Sequence, residues 1–196
     1  MTDASGIGYV SQSLQALLRA TITDSGPLPG TPIDLRSPKE IIAAKNNPTL
    51  VSLWLYRVER HDDLMNAPPV IRPDGRISLR PLPLDLHYLV TPFAPDTLTR
   101  QRLMGLAMQT LHDHARVGAD FLRPELLDEP PASIGVHLEP QSLEESTKIW
   151  HALHEAYELS ASYLVQYVPI TSARSRTAGP VVVDKTLAVA AIERVA

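Results

Sequence analysis

The sequence predicts an α+β domain in which a mostly antiparallel or mixed sheet of four or five strands is covered by helices. Four segments either alternate apolar and polar residues or are rich in β-branched and aromatic side chains, as strands are: 50–59, 84–93, 134–139 and 160–170. Other segments repeat apolar residues every three or four positions, which is the period of a helix packed on one side. Sheet and helix layers around one core follow from this mixture.

Composition supports a globular domain and excludes several kinds of site. The chain has 196 residues, of which 44% are hydrophobic, and this size suits a single domain. A net charge of −4 argues against a nucleic-acid partner bound through a basic face. Cysteine is absent, so disulfides, thiolate nucleophiles and cysteine-bound metals are excluded. The apolar runs are too short to span a bilayer, and we expect neither a membrane partner nor a secretion signal.

The N-terminal part is predicted to form two helices and a strand. Residues 7–20 have the period of an amphipathic helix, and Ile33 begins a short extended piece. Ser37, Pro38 and Glu40 make a complete capping box for a short second helix. Strict alternation along the next strand puts Leu53 and Leu55 on one face and Trp54, Tyr56 and Val58 on the other.

A polar stretch precedes the central part of the chain. Residues 61–83 contain a Pro-Asp-Gly turn flanked by Val70-Ile71 and Ile77-Leu79, which predicts an exposed hairpin. Residues 84–93 then form a strand, apolar on both faces, that leads into a helix reaching residue 115. Gly105 costs about 1 kcal/mol relative to alanine inside a helix, and we interpret it as permitting close approach to the sheet.

The C-terminal part repeats the alternation of strand and helix. Ser142 and Glu145 form a second capping box, after the strand at 134–139. Strict alternation along the strand at 160–170 puts Tyr163, Val165 and Tyr167 on one face and Leu164, Val168 and Ile170 on the other. After a small and basic linker, residues 180–196 contain further β-branched runs.

Histidines are the only candidates for chemistry. His112 and His114 are two residues apart on a helix and point in opposite directions, which favours a role at the helix end. His151 and His154 share a helix face, and with a distant carboxylate they leave a metal-dependent hydrolase open as an alternative. His87 is predicted to be a buried histidine with a partner, and a catalytic base is the alternative. No nucleophile with its base is found, so no catalytic residue and no cofactor is predicted.

Three blocks of the sequence, in this order, resemble a known family. They are LPLDLHYLVTPFAPD at 82–96, LMGLAMQTLHDH at 103–114 and VHLEPQSLEESTKIWHALHEAYELSASYLVQYVPI at 136–170. The chain resembles the N-terminal domain of the tail-terminator or cap proteins of extracellular contractile injection systems, of the Photorhabdus virulence cassette and antifeeding-prophage type. The resemblance covers most of residues 7–172.

The resemblance implies a structural protein without enzymatic activity. A hexameric ring of such chains would sit on the distal end of the tube and sheath, stop their growth, and bind no small-molecule substrate. The chain would belong to a phage-tail-like particle assembled in the cytoplasm of the producing bacterium. An assembly adaptor or chaperone absent from the finished particle is the remaining alternative.

We expect residues 1–172 to form the tail-terminator-like domain and residues 173–196 to form an extended arm. The arm would add a strand to a sheath subunit or to a neighbouring copy; a final strand within the chain's own sheet is the alternative. Residues of the hairpin and of the arm are predicted to contact protein partners: Arg72, Asp74, Arg76, Arg174, Arg176, Val181, Val182, Val183, Leu187 and Val189.

Overall fold

Helices are interspersed among the strands of the chain, which the computed structural model describes over residues 4–24, 26–62, 70–71, 76–79, 81–127 and 133–177. The helices are α1 (Gly6–Leu18), α2 (Pro38–Ala43), α3 (Thr97–Asp113) and α4 (Leu143–Leu153), with a π-helical segment at Arg19–Asp24 and a 3-10 turn at Pro124–Leu126. The strands are β1 (Ile33–Asp34), β2 (Leu50–Arg60), β3 (Val70–Ile71), β4 (Arg76–Ser78), β5 (Leu82–Phe93), β6 (Arg116–Val117), β7 (Ile134–Glu139), β8 (Ala161–Ile170) and β9 (Ser175–Thr177).

The main sheet has six strands in the order β1-β2-β5-β8-β7-β6. β1 is parallel to β2, and every other neighbouring pair is antiparallel. The predicted class, a mixed sheet covered by helices, is therefore confirmed. The predicted number of four or five strands is wrong, because β6 has only two residues and a pair of residues carries no alternation.

Helices cover both faces of this sheet. On one face, here called the α1/α3 face, Leu14 of α1 and Leu111 of α3 pack with Leu86, Tyr88 and other buried residues of β5 in the main core. On the opposite face, the α4 face, Leu89 packs with Trp150 and Leu153 of α4. β5 therefore buries both of its faces, as its sequence predicts.

A β-bulge changes the face on which the end of β2 lies. Leu55 pairs with Tyr88, but Arg57, two positions further along, pairs with the adjacent residue His87. The extra residue, Tyr56, shifts the alternation, so that Val58 lies opposite Leu86 on the α1/α3 face. The prediction that Val58 shares a face with Trp54 and Tyr56 is wrong for this reason.

β8 contains a second irregularity of the same kind. Leu84 pairs with Val168 and Leu86 with Val165, so two residues of β8 stand against Asp85 alone. Val168 and Ile170 therefore share the face of Tyr163 and Val165, contrary to the prediction from strict alternation.

Asp85 holds this bulge in place. Tyr167 adopts a φ of 60° and donates its backbone N–H to Asp85 Oδ1 at 3.1 Å. The other carboxylate oxygen lies 2.9 Å from His61 Nδ1. The carboxylate thus satisfies a backbone group that the ladder leaves without a partner.

A second sheet of three strands has the order β3-β4-β9. β3 and β4 pair antiparallel, with Ile71 opposite Ile77, which confirms the predicted hairpin. Ser175, within the predicted arm, pairs with Ser78. The first residues of that arm therefore add a strand to the hairpin rather than to the main sheet.

The helices begin where their capping residues predict, but the prediction for one glycine fails. Ser37 and Ser142 each form the predicted capping box, and Asp96 caps α3 by accepting the N–H of Thr99. Gly105 is exposed, and a Cβ built on it meets no atom within 4 Å. The predicted close approach of α3 to the sheet at Gly105 is wrong.

Candidate assembly interface

The main sheet has incompletely paired margins on its two sides. β1 pairs only with Val51 and Ser52 of β2, and β6 pairs only with Ile134 and Gly135 of β7. Among the described residues, no strand pairs with the outer side of β2 over 53–60 or of β7 over 137–139. Free strand margins of this kind can accept another strand.

An apolar side chain is exposed on each of these margins. The burial of β2 falls along the strand from fully buried residues to exposed ones, and Val58 near its end is 45% exposed. Leu138 on β7 is 52% exposed. Both face the α1/α3 side, because Val58 lies opposite Leu86 and Leu138 lies opposite Tyr163.

A shallow apolar groove adjoins Leu138. It lies between the C-terminal half of α3 and β7, and its volume is about 480 Å³. Val136 and Tyr163 from the sheet and Met108 and Leu111 from α3 line it. The groove extends the apolar surface of the β7 margin toward the helix.

Charged side chains lie on the other face of the same margins. On β2, Arg57 forms an ion pair with Glu59. On β7, His137 is exposed and Glu139 is half-buried. Each margin therefore combines an apolar residue on one face with charged or ionisable residues on the other.

Glu139 is also the centre of a polar cluster on the α4 face. Its Oε2 lies 2.8 Å from Ser162 Oγ, 3.1 Å from His87 Nδ1 and 3.3 Å from Tyr56 Oη. Burial opposes ionisation of the carboxyl, but the hydrogen bonds from His87 and Ser162 outweigh it and keep the pKa of Glu139 below its ordinary value.

This cluster confirms that His87 is a buried histidine with a partner. Burial raises the pKa of the Tyr56 phenol, which keeps the hydroxyl protonated as a donor. Ser162 and His87 both bond to the carboxylate of Glu139. The geometry is that of a polar network that ties β2, β5, β7 and β8 together, in which His87 Nε2 is buried without a hydrogen-bond partner among the described residues, 3.3 Å from Glu59 Oε2.

The remaining histidines lie at helix ends. His114 follows α3, and its Nδ1 lies 3.1 Å from the carbonyl oxygen of Thr110, as expected for a helix-end residue. The ring centres of His151 and His154 are 6.3 Å apart, and His154 is the left-handed cap of α4. Within the part of the chain that the structure describes, no group of three His, Cys, Asp or Glu side chains is placed to hold a metal ion.

The predicted contact residues divide between described and undescribed parts of the chain. Arg76 and Arg176 lie on the paired strands β4 and β9, and exposed Arg174 donates its backbone N–H to Ser172 Oγ at 3.2 Å. The others fall outside the described residues: Arg72, Asp74, Val181, Val182, Val183, Leu187 and Val189. Sequence reasoning missed the margins of β2 and β7, because alternation does not reveal which parts of a strand lack a neighbour in the sheet.

Known proteins place this chain in a family. The model of the Pvc16 N-terminal domain matches residues 9–184. The chain belongs to the Pvc16 N-terminal domain family. The resemblance inferred from the sequence is thereby confirmed. No protein of curated function matches this family member in sequence.

Two solved structures share the fold of this Pvc16 N-terminal domain. The first is the sheath/tube terminator, in its extended state, of an extracellular contractile injection system: the identity is 21%, the TM-score is 0.68, and the match covers 97% of this chain and 64% of that one. The second is the tube-terminating cap of the anti-feeding prophage, with 19% identity, a TM-score of 0.65, and coverage of 91% and 60%. The chain therefore spans less than two thirds of either terminator.

Among the described helices, none has both the length and the apolar character needed to cross a bilayer.

Proposed function

We propose that this chain is a structural cap that binds the distal end of the tube and sheath of a contractile injection particle and stops their growth. Membership of the Pvc16 N-terminal domain family carries this proposal, since the match covers residues 9–184. The fold shared with a sheath/tube terminator and a tube-terminating cap supports it.

The cap acts as a hexameric ring, and its partners are other copies of itself together with sheath and tube proteins. A ring needs two different surfaces on each copy, joined head to tail with a rotation that closes. Margins that lie on opposite sides of one sheet provide two such surfaces. The protein is made in the cytoplasm of the producing bacterium and does its work within the assembled particle, without catalysis.

The hairpin and the arm make further contacts with neighbouring proteins. Residues 1–172 form the domain, and residues 173–196 form the arm, which adds a strand to a sheath subunit or a neighbouring cap. Pairing of β9 with β4 supports a link between hairpin and arm, because it brings Arg76 and Arg176 to adjacent strands.

Deleting the gene in a strain that produces the particles tests the proposal. Without a cap, growth of tube and sheath has no defined end, so electron microscopy should show a broad distribution of lengths, and complementation should restore the narrow one. Two results together would contradict the capping role and favour an assembly chaperone. They are unchanged particle lengths in the deletion strain and absence of the protein from particles purified from the wild-type strain.

A further inference from the structure

We propose that the outer margin of β2 pairs, antiparallel, with the outer margin of β7 on the next copy, with Val58 opposite Leu138. This interface rests on the proposed ring and names the two surfaces that form it. The occupant of each margin is therefore a second copy of this chain.

Strand direction permits the pairing. β2, β5, β8 and β7 are successive antiparallel neighbours, so β2 and β7 run in opposite directions. When a second copy continues the sheet in the same orientation, its β7 lies antiparallel to β2 of the first copy. The contact is heterologous and can be repeated around a ring.

The backbone groups of the two residues point toward each other. His61 donates its N–H to Pro83 on the β5 side of β2, so alternation turns the N–H and C=O of Val58 to the open side. Val136 donates its N–H to Ala115 on the outer side of β7, so the backbone of Leu138 also points outward. Val58 and Leu138 can thus exchange both hydrogen bonds of a paired position.

The side chains agree with the same register. Val58 and Leu138 lie on the α1/α3 face, so they would meet there, beside the groove of the β7 margin. On the α4 face, Arg57 would stand opposite Glu139 as a pair of opposite charges, and Glu59 would stand opposite His137, whose ring can donate an N–H. Opposite charges across strands stabilise a pair, and like charges destabilise it.

Neighbouring registers are less favourable. A shift of two residues in one direction sets Glu59 against Glu139, two carboxylates directly opposed. A shift in the other direction brings the bulged residue Tyr56 against Leu138, where the ladder is interrupted. A pairing longer than about three residues is blocked by Ala115, which already occupies the outer side of Val136.

Cysteine cross-linking provides a direct test, because the chain has no cysteine of its own. The Cα atoms of a hydrogen-bonded antiparallel pair are about 5.5 Å apart, within the range that a disulfide spans. Within one copy the two sites are three strand spacings apart, roughly 14 Å, which no disulfide can bridge. A bond between Val58→Cys and Leu138→Cys must therefore join two copies.

We expect the oxidised double variant, both as purified full-length chain and in particles from producing cells, to give a ladder of covalent oligomers on a non-reducing gel. Each single variant has no cysteine opposite its own across the proposed interface, so it should form no ladder and no more than a chance dimer. The matched control pairs Val58→Cys with Leu98→Cys, since Leu98 is 77% exposed but lies on α3, away from the β7 margin; it should give no ladder.

Outcomes separate the interface from the capping role. No ladder in either sample, with the protein still present at particle ends, overturns the interface and leaves the cap in place. If the wild-type protein is not found at particle ends, the proposed function itself is overturned. A ladder that forms equally in the Leu98 control shows random contact and also overturns the interface.

Discussion

At the scale of single residues, Glu139 carries the polar contacts that join four strands on the α4 face. Sequence reasoning predicted that His87 is buried with a partner, since the histidine lies within a central strand. Its partner could not be predicted, because Glu139 is 52 positions away and the two meet only through the pairing of β5, β8 and β7. Hydrogen bonds between distant side chains leave no local pattern in a sequence.

Replacing Glu139 with glutamine should make the protein less stable and less sensitive to acid. Since the folded state lowers the pKa of Glu139 from 4.5, its contribution to stability is present above about pH 4.5 and is lost as the pH falls through the folded value. Glu139→Gln should reduce the free energy of unfolding at pH 7 by about 1–3 kcal/mol and flatten its decline below pH 4.5.

Urea unfolding between pH 3 and pH 7 measures both effects. Glu144→Gln is the matched control, because Glu144 pairs with Lys148 on an exposed helix surface and should change stability by less than about 0.5 kcal/mol. If the free energy of unfolding declined equally with falling pH in the wild type and in Glu139→Gln, the carboxylate of Glu139 would not be bonded as described.

Replacing Gly105 with alanine should stabilise the protein by up to about 1 kcal/mol. The position lies within α3, is exposed, and has room for a Cβ. Thermal and urea unfolding measure the gain. A loss of stability would indicate that the helix does approach the sheet closely at this glycine, as the sequence alone suggested.

At the scale of elements, long strands and capped helices were predictable and irregularities were not. β2, β5, β7 and β8 follow from their alternation, and the starts of α2 and α4 follow from their capping boxes. The bulges at Tyr56 and opposite Asp85 reverse the alternation partway along β2 and β8. A bulge depends on the partner strand, so the sequence of one strand does not reveal it.

Replacing Asp85 with alanine should destabilise the protein by about 1–3 kcal/mol, since it leaves the N–H of Tyr167 and the ring of His61 without their acceptor. Urea unfolding measures the change, and Asp62→Ala is the control because Asp62 is exposed and its ion pair among the described residues is with the neighbouring, exposed Arg60. The same small effect for both variants would mean that Asp85 does not hold the bulge.

Two truncations separate the roles of β9 and the arm. Removing 178–196 should leave the thermal transition within a few degrees of wild type while attachment to neighbours is lost. Removing 175–196 should in addition speed proteolysis of the hairpin, because β4 loses one of its two partner strands. If deletion of 178–196 alone abolished the cooperative thermal transition, these residues would belong to the core and not to an arm.

At the scale of the whole molecule, the α+β class and the family could be recognised from the sequence, but the surfaces for assembly could not. Sheet order decides that β2 and β7 lie near opposite margins, and two-residue strands decide which parts stay open. Neither fact has a counterpart in local composition. From the sequence alone, Val58 and Leu138 cannot be distinguished from other apolar strand residues.

The proposed role of this chain is to stop the growth of tube and sheath. The most direct measurement adds purified full-length protein to growing tube–sheath complexes and follows their length by electron microscopy. Growth should stop at a saturating ratio of one ring per end, with the protein visible only at that end. Continued elongation at excess protein, or binding along the sides with unchanged lengths, would contradict this capping role.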